Sequence, residues 1–332
     1  MKYPSLIILF LFLLLEIHAQ NIIRMNPPQS FRKYIPPGNY SGITHMGNDL
    51  YAVVSDKSVY DGFFVFRLEI DSVTGKIKKA ENLYFRASVL QNRDAEGIAW
   101  IPETKTLLIV GEKDSRIIEY DSLCSQTGRE ISLEYVCNNY GYESLSYNAN
   151  TGLLWTCTEN SIPHDKIFLH NDTSSFIRLQ SFDKNLKPVA QYLYELDRPI
   201  SSKTYKYYAH GVSELLALDN GALLVLEREF AVPKVKTGAY VLCKLYKVEP
   251  YKEYSFSIKE PLSRHVKKIS KILIGQWKTK LNLFNYNIAN YEGMCLGPKL
   301  ADGSRVIIMI ADSQDRKGGI LRDWFRTIVI SE

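Results

Sequence analysis

Most of the patterns that mark a metal or nucleotide centre are missing from this 332-residue chain. No Cys-x-x-Cys pair, His-Glu-x-x-His helix, Gly-x-x-x-x-Gly-Lys-Ser/Thr loop or EF-hand loop occurs, which sets aside the common zinc, nucleoside-triphosphate and EF-hand chemistries. Asp71-Ser72-Val73-Thr74-Gly75 reads as a hairpin turn. Cysteine is sparse and odd in number: Cys124, Cys137, Cys157, Cys243 and Cys295 form no disulfide framework. Cys124 and Cys137 flank an expected hairpin at Thr127-Gly128 and are near enough in sequence to be bridged, whereas the other three lie in apolar runs and read as buried hydrophobes.

Histidine is scarce too. Of six, His18 is in the N-terminal segment and only His210 falls on a repeated motif, which makes it a candidate general acid or base. Arg264-His265 continues with Val266, without the Gly-x-Arg that a histidine acid phosphatase needs. Gly211-Val212-Ser213-Glu214-Leu215 lacks the second glycine of a nucleophile elbow. Charge of one sign is absent: 41 Lys and Arg against 36 Asp and Glu give a net charge of +5. The densest basic cluster, Arg264 to Lys271, reads as a solvated face, so no nucleic-acid partner is expected.

Long apolar runs are confined to the start. Lys2, the apolar stretch Leu6 to Leu15 and the small residue Ala19 make residues 1–19 a secretory signal peptide by pattern. The stretch is short for a span of about 20 residues, and no later run approaches it. Residues 20–332 are thus expected to be a single domain, monomeric and secreted or periplasmic, with no membrane span after cleavage.

What the chain has in quantity is aromatic and strand-forming residues, with 22 Tyr and 14 Phe, and a repeated plan. A leading motif, an alternating strand, a turn, an apolar strand and an acidic exit recur five times. The units start at Ser41-Gly42, Asp94-Ala95-Glu96-Gly97, Tyr142-Glu143-Ser144, Gly211-Val212-Ser213-Glu214 and Tyr291-Glu292-Gly293. They exit at Asp56, Glu112, Glu159, Glu227 and Asp312. Further strands follow most units, which fills out four-stranded blades and predicts an all-β propeller. The interval from Glu214 to Glu292 is long, and it implies either long outer hairpins or one more blade. Six blades are favoured over five, with Phe325 to Ile330 pairing to Ile22 to Met25 to close the ring.

In a blade the turn after the second strand returns to the face where the first strand began. Asp94, Glu96, Glu143, Glu214 and Glu292 are therefore expected at one mouth of the channel, joined by Asp56, Glu112, Glu159, Glu227 and Asp312. Like charges about 4 Å apart at an effective dielectric of 20 cost about 4 kcal/mol, so this mouth calls for protons, Arg228 or a hard cation. Calcium, an oxygen-seeking ion, is the expected cofactor, held by Asp94, Glu96, Glu143, Glu214 and Glu292.

Asp94-Ala95-Glu96-Gly97, Tyr142-Glu143-Ser144-Leu145, Leu226-Glu227-Arg228 and Asn290-Tyr291-Glu292-Gly293, running on to Gly297-Pro298, resemble in order the phytase-like family known by an esterase-like activity of phytase. The resemblance runs from about Tyr40 to Ser313 and implies an exported propeller with hydrolase activity on esters or phosphoesters. One departure is Ala95, where the family form has Pro; it loosens the turn but removes neither acid. The resulting expectation is a calcium-assisted hydrolase of a small ester or phosphoester, with His210, Glu227 and Arg228 handling protons and anionic charge. The alternative is a non-catalytic propeller that binds a glycan, peptide or surface partner, with Tyr140, Tyr142 and Tyr291 on its loops.

Overall fold

The computed structural model describes residues 21–133, 141–162, 165, 175–200, 204–257, 262, 265–282, 288–314 and 320–331. The expected signal peptide, Cys137, Tyr140 and Arg264 lie outside them.

Strand β1 (Ile22–Met25) comes first and is used last. The first sheet follows, built from β2 (Tyr40–Gly47), β3 (Leu50–Ser55), β4 (Tyr60–Ile70) and β5 (Ile77–Gln91), and then the second, from β6 (Ala95–Ile101), β7 (Thr106–Gly111), β8 (Arg116–Tyr120) and β9 (Gln126–Ser132). The third contains β10 (Ser146–Asn148), β11 (Leu153–Thr156), β12 (Phe176–Phe182) and β13 (Pro188–Glu195). The fourth begins with β14 (Tyr207–Ala217), β15 (Leu223–Val232) and β16 (Tyr240–Val248); β17 (Ser255–Phe256) then crosses back to the edge of the third sheet before β18 (Lys271–Lys280) completes the fourth. Finally β19 (Asn290–Lys299), β20 (Arg305–Asp312) and β21 (Phe325–Ile330) pair with β1 to make the fifth.

Among the described residues, then, the strands form five sheets, each antiparallel and radiating from an inner strand: β2, β6, β10, β14 or β19. This corrects the expected six blades. The long interval between Glu214 and Glu292 is used up by the long strands β14 to β16, the return of β17 and the ten residues of β18.

Burial follows from how the blades stack. Second strands such as β7, β15 and β20 are sandwiched between neighbouring blades, and β7 and β15 are buried along their whole length. A strand covered on both faces needs no polar alternation, which is why Leu107-Leu108-Ile109-Val110 is continuously apolar. Outer strands β9 and β18 alternate or face solvent. One apolar layer fills each of the five interfaces between successive blades, including that between the fifth and the first. The expected pairing of the chain's two ends is present, with Ile22 opposite Ile330 and Met25 opposite Ile328. Closure between blades rests on the apolar layers, and among the described strands no hydrogen-bonded ladder runs from one sheet to the next.

The turns follow the local chemistry of their residues. Asp71 closes the β4–β5 hairpin by accepting hydrogen bonds from the amides of Val73 and Thr74, and Gly221 and Gly303 take left-handed φ values of 90° and 85° after Asn220 and Asp302. The turn expected at Thr127-Gly128 lies earlier. Asp121 gathers the amides of Leu123 and Ser125 at 2.9 Å, while Gly128 belongs to β9. Cys124 is a buried free thiol, as are Cys157, Cys243 and Cys295.

Candidate functional site: an acidic mouth around Arg228

Each inner strand carries an irregularity at its start. The pairing register slips between Tyr40 and Gly42, Ala95 and Gly97, Val212 and Glu214, and Tyr291 and Gly293. In the third blade it slips between the Tyr142–Thr158 bridge and the Ser146–Trp155 pair. An extra residue in one strand bends it and re-aims a side chain. The bulged positions are Ser41, Glu96, Glu143, Ser213 and Glu292. Across from them, one residue beyond the partner of the paired residue that precedes each bulge, stand Asp56, Glu112, Glu159, Arg228 and Asp312.

The fourth repeat is thus offset by one residue from its motif. Its mouth positions are Ser213 and Arg228, where the sequence pattern aligned Glu214 and Glu227. A one-residue step along a strand reverses the face on which a side chain emerges, and both acids leave the mouth. Glu214 lies buried in the channel, where its oxygens accept from the amides of Leu215 at 2.9 Å and Met294 at 3.3 Å. Glu227 turns toward the third blade. It accepts the Tyr194 hydroxyl at 2.6 Å, the Asp197 amide at 3.1 Å and the Lys271 ammonium at 2.6 Å. His210 lies on the same side, half-buried, with Glu227, Glu229, Lys244 and Asp197 as its charged neighbours. Burial pushes its imidazole down, and Glu227 and Glu229 only partly offset this. The three residues expected to act together are separated: Arg228 faces the mouth, while His210 and Glu227 belong to a side cluster.

At the mouth, Arg228 is buried and reaches three blades. Its Nη1 donates to Asn290 Oδ1 at 2.9 Å and Glu292 Oε1 at 2.5 Å, and its Nη2 donates to Glu159. Asn290 also donates to Glu292 at 2.7 Å. One guanidinium cannot neutralise the acids that surround it. Burial, with Glu143 and Glu292 nearby, pushes Glu96 well up, and burial with Glu159 and Glu292 does the same to Glu143. Burial raises Glu292 to about 7 despite Arg228. Asp312 is raised by burial and Glu292, and Glu112 by burial, against the hydrogen bond from the Gly141 amide. Burial first, and mutual repulsion after it, thus favour the protonated form of these carboxyls.

The side of the mouth away from Arg228 carries its own cation. Lys57 Nζ lies 2.5 Å from Asp56 and 3.6 Å from Asp94, and Lys113 reaches Asp94 at 3.5 Å. Oxygens of Asp56, Asp94 and Glu96 lie within 4.8 Å of one another. Asp94 adopts a left-handed φ of 59°, and the amide of Ala95 donates to Asn92 at 3.1 Å, a bond that proline could not make. Blade packing fixes the geometry closely: a Cβ on Gly97 would stand 2.6 Å from the Leu145 amide nitrogen.

Two of the aromatics expected on loops are part of the packed interior. Tyr142 and Tyr291 are fully buried. Ser41, Ser213, Asn290 and Lys57 were not singled out in the sequence. The charge reversal at Arg228 amid acidic exits was the one visible sign that the fourth repeat should be aligned a residue later.

Fold and site together define a five-bladed propeller whose mouth is lined with buried carboxyl groups, of which Glu159 and Glu292 pair with Arg228. A family model described as "Phytase-like: Esterase-like activity of phytase" matches residues 35–314, and the chain belongs to that family. No curated protein sequence matches it. Among solved structures it is similar to the endo-arabinase from Bacteroides thetaiotaomicron, at 12% identity over 90% of this chain and 95% of that one, with a TM-score of 0.46. It is also similar to the Kuenenia stuttgartiensis hydrazine synthase (11%, 92% and 90%, 0.39) and to a luciferin-regenerating enzyme (10%, 95% and 97%, 0.41). At such scores these likenesses carry no functional weight.

Proposed function

We propose that this chain is an exported hydrolase of small esters or phosphoesters that works with a divalent cation, calcium by its oxygen-only donors, at the acidic mouth. The observation that carries this reading is the convergence of Asp56, Glu96, Glu112, Glu143, Glu159, Glu292 and Asp312 at one mouth, where Arg228 pairs with Glu159 and Glu292 and several of the other acids are pushed toward their protonated form. Such clustering disfavours the empty folded state, and a bound cation relieves it.

The donor set fits calcium. Oxygens of Asp56, Asp94 and Glu96 lie within 4.8 Å of one another, near enough for all three to reach one calcium ion at about 2.4 Å each. A calcium ion bound there would polarise the carbonyl or phosphoryl oxygen of the substrate. Lys57 marks the place by supplying positive charge to Asp56 and Asp94. Proton handling passes in this reading from His210 to Glu292, because a carboxyl near pH 7 exchanges protons readily with water or a leaving group. Arg228 keeps Glu292 in place and balances Glu159. The remaining acids around the mouth favour an uncharged carboxylic ester or lactone over a highly phosphorylated substrate.

The test is turnover of aryl esters, lactones and phosphoesters by the purified protein, with calcium and with chelator, alongside Glu96→Gln and Glu292→Gln. Calcium-dependent turnover that both variants lose supports the reading. Absence of turnover across the panel with calcium present removes it.

A further inference from the structure

Between the fourth and fifth blades the apolar layer contains an arginine. Arg326, on β21, is only 9% exposed, and no carboxylate pairs with it among the described residues. Its guanidinium carbon lies 5.6 Å from the Trp277 ring and 5.8 Å from the Tyr291 ring, and the two rings stand 6.2 Å apart at 71°. Its Nη1 reaches nothing more polar than the Met25 sulfur, at 3.4 Å. Three donors in this triangle are shielded from solvent and have no hydrogen-bond partner among the described residues: Arg326 Nε, the Tyr291 hydroxyl and Trp277 Nε1.

Each orphaned buried donor is unfavourable, and a buried unpaired guanidinium more so. What would satisfy all three is decided by the balance of donors and acceptors. A water accepts two hydrogen bonds but must also donate two, and among the described residues the side chains shown beside the guanidinium are the weakly accepting sulfurs of Met25 and Cys243. Three donors, one of them cationic, call for a species that only accepts and carries negative charge. Met294, Met309 and Cys243 belong to the same apolar layer, so a species held by these donors must be small.

We infer that Arg326, Tyr291 and Trp277 bind a halide-sized monovalent anion between the fourth and fifth blades. This site is separate from the acidic mouth and opposite to it in sign. Tyr291 lies between Asn290 and Glu292 on β19 and emerges on the other side of the strand from them. Filling the site therefore stiffens the strand that carries the Arg228 partners.

The full-length protein is melted in chloride, bromide and gluconate at constant ionic strength, and crystals grown in bromide are measured at the bromine absorption edge. The melting temperature is expected to rise by about 2–4 °C from gluconate to chloride or bromide, with an anomalous peak among the three side chains. Arg326→Met should abolish the halide dependence, and Tyr291→Phe, which keeps the ring packing, should weaken it. Should Arg326→Met fail to fold, the bromide map and Tyr291→Phe still decide. Equal melting in all three salts with no anomalous peak, or an ordered water in place of bromide, overturns the inference.

Discussion

Arg228 on β15 stands 2.5 Å from Glu292 on β19 and also holds Glu159, so a single cation spans the third, fourth and fifth blades at the channel mouth. It occupies in the fourth blade the position that Asp56, Glu112, Glu159 and Asp312 occupy in the others.

Arg228→Met removes the guanidinium that pairs with Glu159 and Glu292 while keeping most of its bulk. Leaving buried charge uncompensated should cost about 3–5 kcal/mol at pH 8. The cost should shrink at pH 5, below the region near 7 where Glu292 takes up its proton. Chemical denaturation at the two pH values measures this, and an equal loss at both would show that Arg228 contributes packing alone.

The pH dependence of the wild type has a definite sign. Glu96, Glu143, Glu292 and Asp312 have folded-state pKa values above their unfolded ones. The folded state therefore binds more protons than the unfolded state between those values, and stability falls as pH rises through the window. With chelator the melting temperature should decline from about pH 4.5, the ordinary carboxyl range, through the region near 7 where Glu292 titrates. Calcium should restore most of it at pH 8. A flat profile with chelator would mean that the acids are relieved in some other way.

Glu96→Gln and Glu143→Gln should each raise the melting temperature at pH 8 in chelator, because each removes a carboxyl that folding forces either to take up a proton or to stay charged beside other acids. Glu96→Gln should also weaken calcium binding, read by calorimetry, since Glu96 belongs to the triad with Asp56 and Asp94. Stability gained with function lost is the expected trade at a strained site.

Glu214→Gln distinguishes the channel acid from the mouth acids. Its carboxylate accepts the Leu215 and Met294 amides, and an amide side chain must turn a donor toward one of them. Destabilisation of about 1–3 kcal/mol with unchanged calcium affinity is expected. Weakened calcium binding instead would return Glu214 to the ligand set.

Gly97→Ala tests how closely the second and third blades approach. The added methyl meets the backbone at Leu145, which cannot rotate away, so a loss of about 1–3 kcal/mol is expected. A neutral substitution would show that the blades can slide apart.

The repeats, the apolar second strands and the acidic exits could be read from the sequence because each is set locally. Strand propensity and burial on both faces leave continuous runs such as Leu107 to Val110. Turn residues such as Asp219-Asn220-Gly221 punctuate them, and the pairing of Ile22–Met25 with Phe325–Ile330 was also foreseeable. Blade number, the placement of Glu214, Glu227 and Arg228, and the role of Lys57 were decided only by the tertiary structure. Those depend on which residues pair across strands and where each bulge falls. The hydrogen-bond register between distant segments fixes both, and a shift of one residue exchanges the two faces of a strand without changing its composition.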